Sequence, residues 1–164
     1  MYTSVNAFVS DWSEETLSTV KVFSALNDDL MEKKFGENVR TMKDLAWHIT
    51  SSLPEMMSAC GLFEHNYSEG QEVPVTVKGI LSFYAGWSTM LIEGIREKWT
   101  DESLDETVNM YGEDWKKSFV LQVLIRHEIH HRAQLTTLMR IAGLTVPGVY
   151  GPNYEEMQKF MGLQ

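Results

Sequence analysis

The sequence predicts an all-α fold, a four-helix bundle finished by a short C-terminal helix. Four long segments repeat apolar residues at helical spacing, and capping and stop residues fall at their ends. No segment is rich enough in alternating apolar residues to build a sheet. The first helix is expected from about Ser4 to Ala25, with Phe8, Trp12, Leu17, Val20, Val22 and Phe23 apolar, and Asn27-Asp28-Asp29 and Gly36-Glu37-Asn38 bracket the loop after it. Thr41 is an N-cap residue for a second helix running to about Ala59 and stopped by Gly61; Pro54 inside it predicts a kink. Pro74 and Thr76 precede the third, from about Val77 to Trp99, with Ile80, Phe83, Tyr84, Trp87, Leu91 and Ile95 inward. The fourth is expected from about Trp115 to Ala142 and is closed by Gly143. A short helix from about Tyr154 to Phe160 ends the chain. The connections before the second and fourth helices are about 15 residues each, longer than simple antiparallel neighbours need, so at least one can cross the bundle. Asp101 to Gly112 leaves room for a brief extended piece. With no internal repeat, low-complexity tract or linker, residues 1–164 read as a single domain.

Composition narrows the partners. The chain has 14 Lys+Arg against 23 Asp+Glu, a net charge of −9, and its field repels phosphate backbones, so nucleic acid is not an expected partner. No uninterrupted apolar run approaches the roughly 18 residues of a membrane span, and the N-terminus lacks a basic region followed by an apolar stretch. The single cysteine, Cys60, rules out an internal disulfide and fits a reducing compartment, so the expected location is cytoplasmic.

The densest chemistry lies in Arg126-His127-Glu128-Ile129-His130-His131-Arg132, which holds three of the five histidines. His127 and His131 stand one helical turn apart, with Cβ atoms about 6 Å from each other, so two imidazoles can share one ion. With Leu124, Leu135 and Leu138 they form a stripe that is expected to face the buried side of the helix. A pair of hydrogen-bonded core histidines is the plainer alternative, but two buried imidazoles at this spacing favour a metal. His48 is the third candidate, because it falls on the apolar face of the second helix with Met42, Leu45, Ile49 and Met56. His130 lies about 100° around the helix from His131 and reads as a surface residue. His65 sits in the polar loop His65-Asn66-Tyr67-Ser68-Glu69-Gly70-Gln71. Three neutral imidazoles with positions left open make a catalytic type of site, since structural zinc sites close all four positions.

The same residues spell His-Glu-x-x-His, the zinc-protease signature. That reading needs Glu128 as base and a further ligand downstream. The metzincin continuation would place Gly at 134 and His at 137, where this chain has Gln134 and Thr137. Glu155 and Glu156 follow a loop, with no strand-rich segment to bind a peptide. Arg132, four residues after Glu128, offers it an ordinary exposed ion pair instead.

Taken together, Arg40-Thr41-Met42 leading into Asp44-Leu45-Ala46-Trp47-His48, then His127 to Leu135, then Arg140-Ile141-Ala142-Gly143, Val146-Pro147 and Tyr150-Gly151-Pro152 resemble the DinB/YfiT-like family of metalloenzymes. The resemblance spans nearly the whole chain and implies a four-helix bundle in up-down-down-up order. It also implies that His48, His127 and His131 are the ligands of one divalent metal ion. Zinc or nickel suits the imidazoles best, with manganese and iron as alternatives. Such an ion acidifies a bound water or thiol. Some members of the family are thiol-dependent S-transferases or isomerases, so the resemblance implies a thiol S-transferase acting on small electrophiles. A metal-dependent hydrolase, or a non-catalytic metal-stabilised or metal-sensing stress protein, is the other reading. The expected partners are a small-molecule substrate and a low-molecular-weight thiol, with a homodimer left open. No residue outside the triad stands out as acid or base.

The remaining conspicuous residues have plain readings. Ten methionines and 18 aromatic residues at mostly helical spacing are core. Cys60 is about 18 Å from His48 along a straight helix, so it is read as a small core residue and not a nucleophile. Tyr150 and Tyr154 flank Gly151-Pro152 and either line the metal pocket or clasp the C-terminus. Arg126 and Arg132 read first as solvated helix charges, and second as holders of an anionic thiol.

Overall fold

The computed structural model describes residues 1–163. Five α-helices follow in order: α1 Val5–Ser24, α2 Met42–Ala59, α3 Val77–Lys98, α4 Lys117–Ile141 and α5 Tyr154–Phe160. The first four pack as a ring in which α1 touches α3 and α4, and α2 touches α3 and α4, so that α1 faces α2 and α3 faces α4 across diagonals. Directions follow from which residues share a core. Phe8 and Trp12, early in α1, sit with Val120 and Leu121, early in α4, and with Leu91 and Ile95, late in α3. Leu53 and Met57, late in α2, share that end. Val22 and Phe23 meet Ile80, Tyr84, Leu45 and Leu135 at the other end. Hence α1 and α4 run one way and α2 and α3 the other, the up-down-down-up order that the family resemblance implies.

The helix ends have local causes. Thr41 and Asp44 form a capping box on α2: the Thr41 hydroxyl accepts from the Asp44 amide at 3.1 Å, and the Asp44 carboxylate accepts from the Thr41 amide at 3.0 Å. Thr76 caps α3 through the Gly79 amide at 3.1 Å. Gly143, at φ 87, closes the last turn of α4 in the left-handed region that glycine enters without strain. Pro54 is buried within α2, and the helix continues through it.

The connection from α3 to α4 holds the main departure from the expected all-helical course. Thr107–Met110 (β1) and Glu113–Lys116 (β2) pair antiparallel around a two-residue turn, Tyr111 at φ 55 and Gly112 at φ 88. Two successive positive φ values twist the turn in the sense of the strands, which is why so short a hairpin closes. Trp115, read from the sequence as the start of the fourth helix, therefore lies in β2 opposite Val108. Leu17, one of the apolar residues of the first helix, is 70% exposed. The buried positions that flank it in α1 are the polar Thr19 and, about two turns before Thr19, Trp12.

Candidate metal site

His48 lies on α2 and His127 and His131 on α4, the two helices that make the most extensive contact in the bundle. The capping box fixes where α2 begins, which sets His48 opposite the middle of α4. The Nε2 atom of His48 is 3.1 Å from Nε2 of His127 and 3.1 Å from Nε2 of His131. Three potential ligand atoms thus lie within 4.8 Å of one another, and among the described residues this is the one such group of His, Cys, Asp or Glu side chains.

Hydrogen bonding alone does not satisfy this arrangement. A neutral imidazole nitrogen either donates one proton or accepts one with its in-plane lone pair, so His48 Nε2 can serve one neighbour well but not both. Nitrogen ligands about 2.05 Å from a tetrahedral ion stand about 3.3 Å apart, close to the separations here. The three residues therefore fit a divalent ion. Gln134 supports the tautomer this requires: its Oε1 is 2.8 Å from Nδ1 of His131, so Nδ1 donates and Nε2 keeps its lone pair for a ligand. The Gln134 amide nitrogen in turn lies 3.1 Å from Nε2 of His130. His130 is thus exposed and outside the triad, and His65 lies in its loop with its ring 4.2 Å from that of Tyr67.

The electrostatics agree with neutral imidazoles. Burial, then the neighbouring His131 and Arg40, lowers His48 to about 4. Burial, followed by the other histidines and Arg40, lowers His127 to about 4 as well. His131 is also lowered, mainly by burial, with the Gln134 hydrogen bond opposing. All three are unprotonated at neutral pH and available to a cation. Metal affinity is accordingly expected to fall less between pH 7 and 5.5 than for ordinary imidazoles, with the His48 and His127 contributions lost towards about pH 4. Ligands titrating near the ordinary 6.5 would instead lose about tenfold each by pH 5.5. Fluorescence titration of one ion across this range separates the two. In the metal-free protein the sign is the same. Folded pKa values below the unfolded one mean that the unfolded chain takes up more protons as pH falls from about 6.5 to about 4, so metal-free stability declines in that window.

The flanks of α4 revise two expectations. The buried stripe is Leu121, Leu124, Ile125, Glu128, Arg132, Leu135 and Leu138, while His127 and His131 are half-buried beside it, facing α2. Glu128 and Arg132, read from the sequence as an exposed ion pair, are 2% and 3% exposed. They sit inward because α1 and α3 cover that side of α4 with hydroxyls and a carboxylate to receive them. Glu128 Oε1 accepts from Thr19 Oγ1 and from Tyr84 Oη, both at 2.7 Å. Arg132 Nη1 donates to Thr19 Oγ1 at 3.0 Å and to the Glu15 carbonyl at 3.1 Å, while Nη2 pairs with the Glu15 carboxylate. Held in this way, Glu128 has no path to a peptide, and the protease reading of His-Glu-x-x-His loses its base. Arg132 is likewise unavailable to a ligand, whereas Arg126 is exposed.

Tyr150 belongs to the same network and not to the metal pocket. Its hydroxyl lies 2.7 Å from Glu15 Oε2, and its ring is 5.4 Å from the Arg132 guanidinium. It clasps the segment after α4 to α1. Tyr154 is exposed at the start of α5. Cys60 is buried at the C-terminal end of α2, and burial pushes its thiol up to about 11, so it is no nucleophile.

Two clefts border the triad. One, of about 490 Å³, is lined by His131, Arg40, Leu45, Gln134 and Leu138 among others. The second, of about 550 Å³, is lined by His48, Arg40, Trp47, Asp44 and Ser51. Arg40, which the sequence marks only through the family resemblance, lines both clefts. Among the described residues no helix is long and apolar enough to cross a membrane.

Comparison with known proteins identifies the family and the fold. The chain is 33% identical over 160 residues to the uncharacterized protein YrdA of Bacillus subtilis strain 168, covering 98% of this chain and 96% of that protein. The crystal structure of a DinB-like protein from Bacillus cereus ATCC 10987 superposes with a TM-score of 0.85 at 36% identity, over 92% of this chain and 100% of the other. A second DinB-like protein, YjoA of Bacillus subtilis, shares the fold at a TM-score of 0.71 and 21% identity, over 87% and 97% of the two chains. The sequence model of the DinB family matches residues 1–162, and the chain belongs to the DinB family.

Proposed function

We propose that this protein binds one divalent ion through His48, His127 and His131 and uses it to transfer a low-molecular-weight thiol to a small electrophile. The observation that carries the reading is the convergence of three neutral Nε2 atoms between two clefts, with no fourth protein ligand among the described residues. Zinc or nickel suits three imidazoles best, ahead of manganese and iron. A bound ion supplies Lewis acidity that turns a thiol into a thiolate near neutral pH.

The chain's own residues do the rest. His48 and His131 each face one cleft, so a ligand can approach from either side of the triad. Gln134 keeps His131 in the tautomer that presents Nε2. Trp47 and Leu45 on α2, with Leu138 on α4, give the clefts apolar walls beside the triad. The choice of a thiol over water rests on family likeness, and it is testable without knowing the substrate.

A thiol with a pKa near 8.5 that binds as thiolate releases its proton at pH 7. Calorimetry of 2-mercaptoethanol and cysteine binding to zinc-loaded protein, in buffers of differing ionisation enthalpy, is expected to show about one proton released per thiol bound. Metal-dependent ester hydrolysis without thiol binding or proton release would replace transfer with hydrolysis.

A further inference from the structure

Arg40 is the residue that the two clefts share. It lines the cleft that contains His131 and the one that contains His48, and no other residue lines both. It is exposed, immediately before the Thr41 cap of α2, and among the described residues it makes no ion pair. The other charged groups of these clefts are already engaged. Lys43 pairs with Glu32, and the Asp44 carboxylate is held by the amide and hydroxyl of Thr41. In a chain of net charge −9, a guanidinium that forms no ion pair, beside three convergent imidazoles, offers its N–H donors to an anion, and the Asp44 carboxylate in the same cleft feels its charge without pairing with it.

We propose that Arg40 recognises a carboxylate on the small molecule that occupies the triad, holding that molecule by its anionic end while its reactive end sits at the imidazoles. This deepens the reading given under Proposed function and rests on it for the identity of the reactive end. The planar guanidinium presents two parallel N–H donors to a carboxylate, and a substitution that keeps only the charge loses that fork. A carboxylate suits the site better than a phosphate. One guanidinium supplies a single charge, and the Asp44 amide at the start of α2 is already taken by Thr41. Clefts of about 490 and 550 Å³ fit a metabolite-sized ligand.

The carboxylate can come from the thiol or from the electrophile, and two calorimetric arms distinguish them. In the first, 3-mercaptopropionate and its neutral counterpart 2-mercaptoethanol are titrated into wild type, Arg40→Gln and Arg40→Lys, each zinc-loaded to the same stoichiometry and also metal-free. In the second, butyrate and 1-butanol are titrated into the same proteins with 2-mercaptoethanol present. The anionic probe is expected to bind about tenfold more weakly to Arg40→Gln, with partial recovery in Arg40→Lys, while the neutral probe changes by less than about twofold. Dependence in the first arm alone assigns the carboxylate to the thiol, in the second alone to the electrophile, and in both to one shared anion subsite.

Equal affinity of the anionic probes for wild type and Arg40→Gln overturns the proposal, as does failure of any anionic probe to bind. Butyrate binding that needs Arg40 while neither thiol shows metal-dependent binding leaves the anion receptor standing and removes thiol transfer. Metal-dependent thiol binding that is indifferent to Arg40 does the reverse.

Discussion

His48→Ala is expected to lower affinity for a divalent ion by on the order of 100-fold or more while leaving the fold nearly intact. The loss is large because His48 is the sole ligand from α2. Its Nε2 lies 3.1 Å from both histidines of α4, and without it the remaining pair on one helix offers two ligands on one side of the ion. Changes one shell further out, such as loss of the Gln134 contact to His131 Nδ1, typically cost 10- to 100-fold, so removal of a ligand sets a higher floor. The fold tolerates the change because His48 is only half-buried and the methyl of Ala keeps the helical backbone. His130→Ala and His65→Ala are the controls and are expected to bind one ion with wild-type affinity. Metal stoichiometry by atomic absorption after dialysis, with circular dichroism melts alongside, checks both halves. Full metal retention in His48→Ala would remove the triad as the site.

The triad was legible because each of its parts is a local statement. Four-residue spacing puts His127 and His131 on one face, and the apolar register of α2 puts His48 on a face that must meet another helix. The bundle itself was legible for the same reason, from periodicity and from Thr41, Thr76, Gly61 and Gly143 as punctuation. What the sequence hid was the exact rotation of α4. A hydropathy stripe assigns charged residues to solvent, so it places Glu128 and Arg132 outward and the histidines inward. The true rotation is set by partners distant in the chain, Glu15, Thr19, Tyr84 and Tyr150, none of which reveals from α4 alone that it will be there. Of the β1–β2 hairpin, β1 falls in the brief extended piece that Asp101 to Gly112 leaves room for, whereas β2 is hidden in what reads as the start of the fourth helix. The hairpin's two strands are four residues each, and its turn begins with Tyr111, a residue seldom found at φ 55.

Arg132→Ala is expected to destabilise the protein by about 3–5 kcal/mol, the cost of leaving buried carboxylates without their cation. Arg132 is 3% exposed and joins Glu15, Thr19 and Tyr150, with Glu128 Oε1 3.8 Å away, so no water-filled route replaces it. Lysine should rescue poorly, because one ammonium cannot serve Glu15 and Thr19 from the two nitrogens now used. The pH dependence identifies the cause. Burial already raises the Glu128 pKa, opposed by its hydrogen bonds from Thr19 and Tyr84 and by Arg132; removing Arg132 raises it further. A raised carboxyl pKa means that the folded state holds the proton more tightly than the unfolded chain, so stability is lost as pH rises through the folded value. The deficit of Arg132→Ala relative to wild type should therefore be largest at pH 8 and narrow towards pH 5.5. Adding Glu128→Gln should recover part of the loss at pH 8 and little at pH 5.5, because the second carboxylate, Glu15, remains. Urea denaturation of wild type and the single and double variants, all metal-free, measures these differences. A deficit that is the same at both pH values would show that Arg132 acts through packing and not through the buried carboxylates.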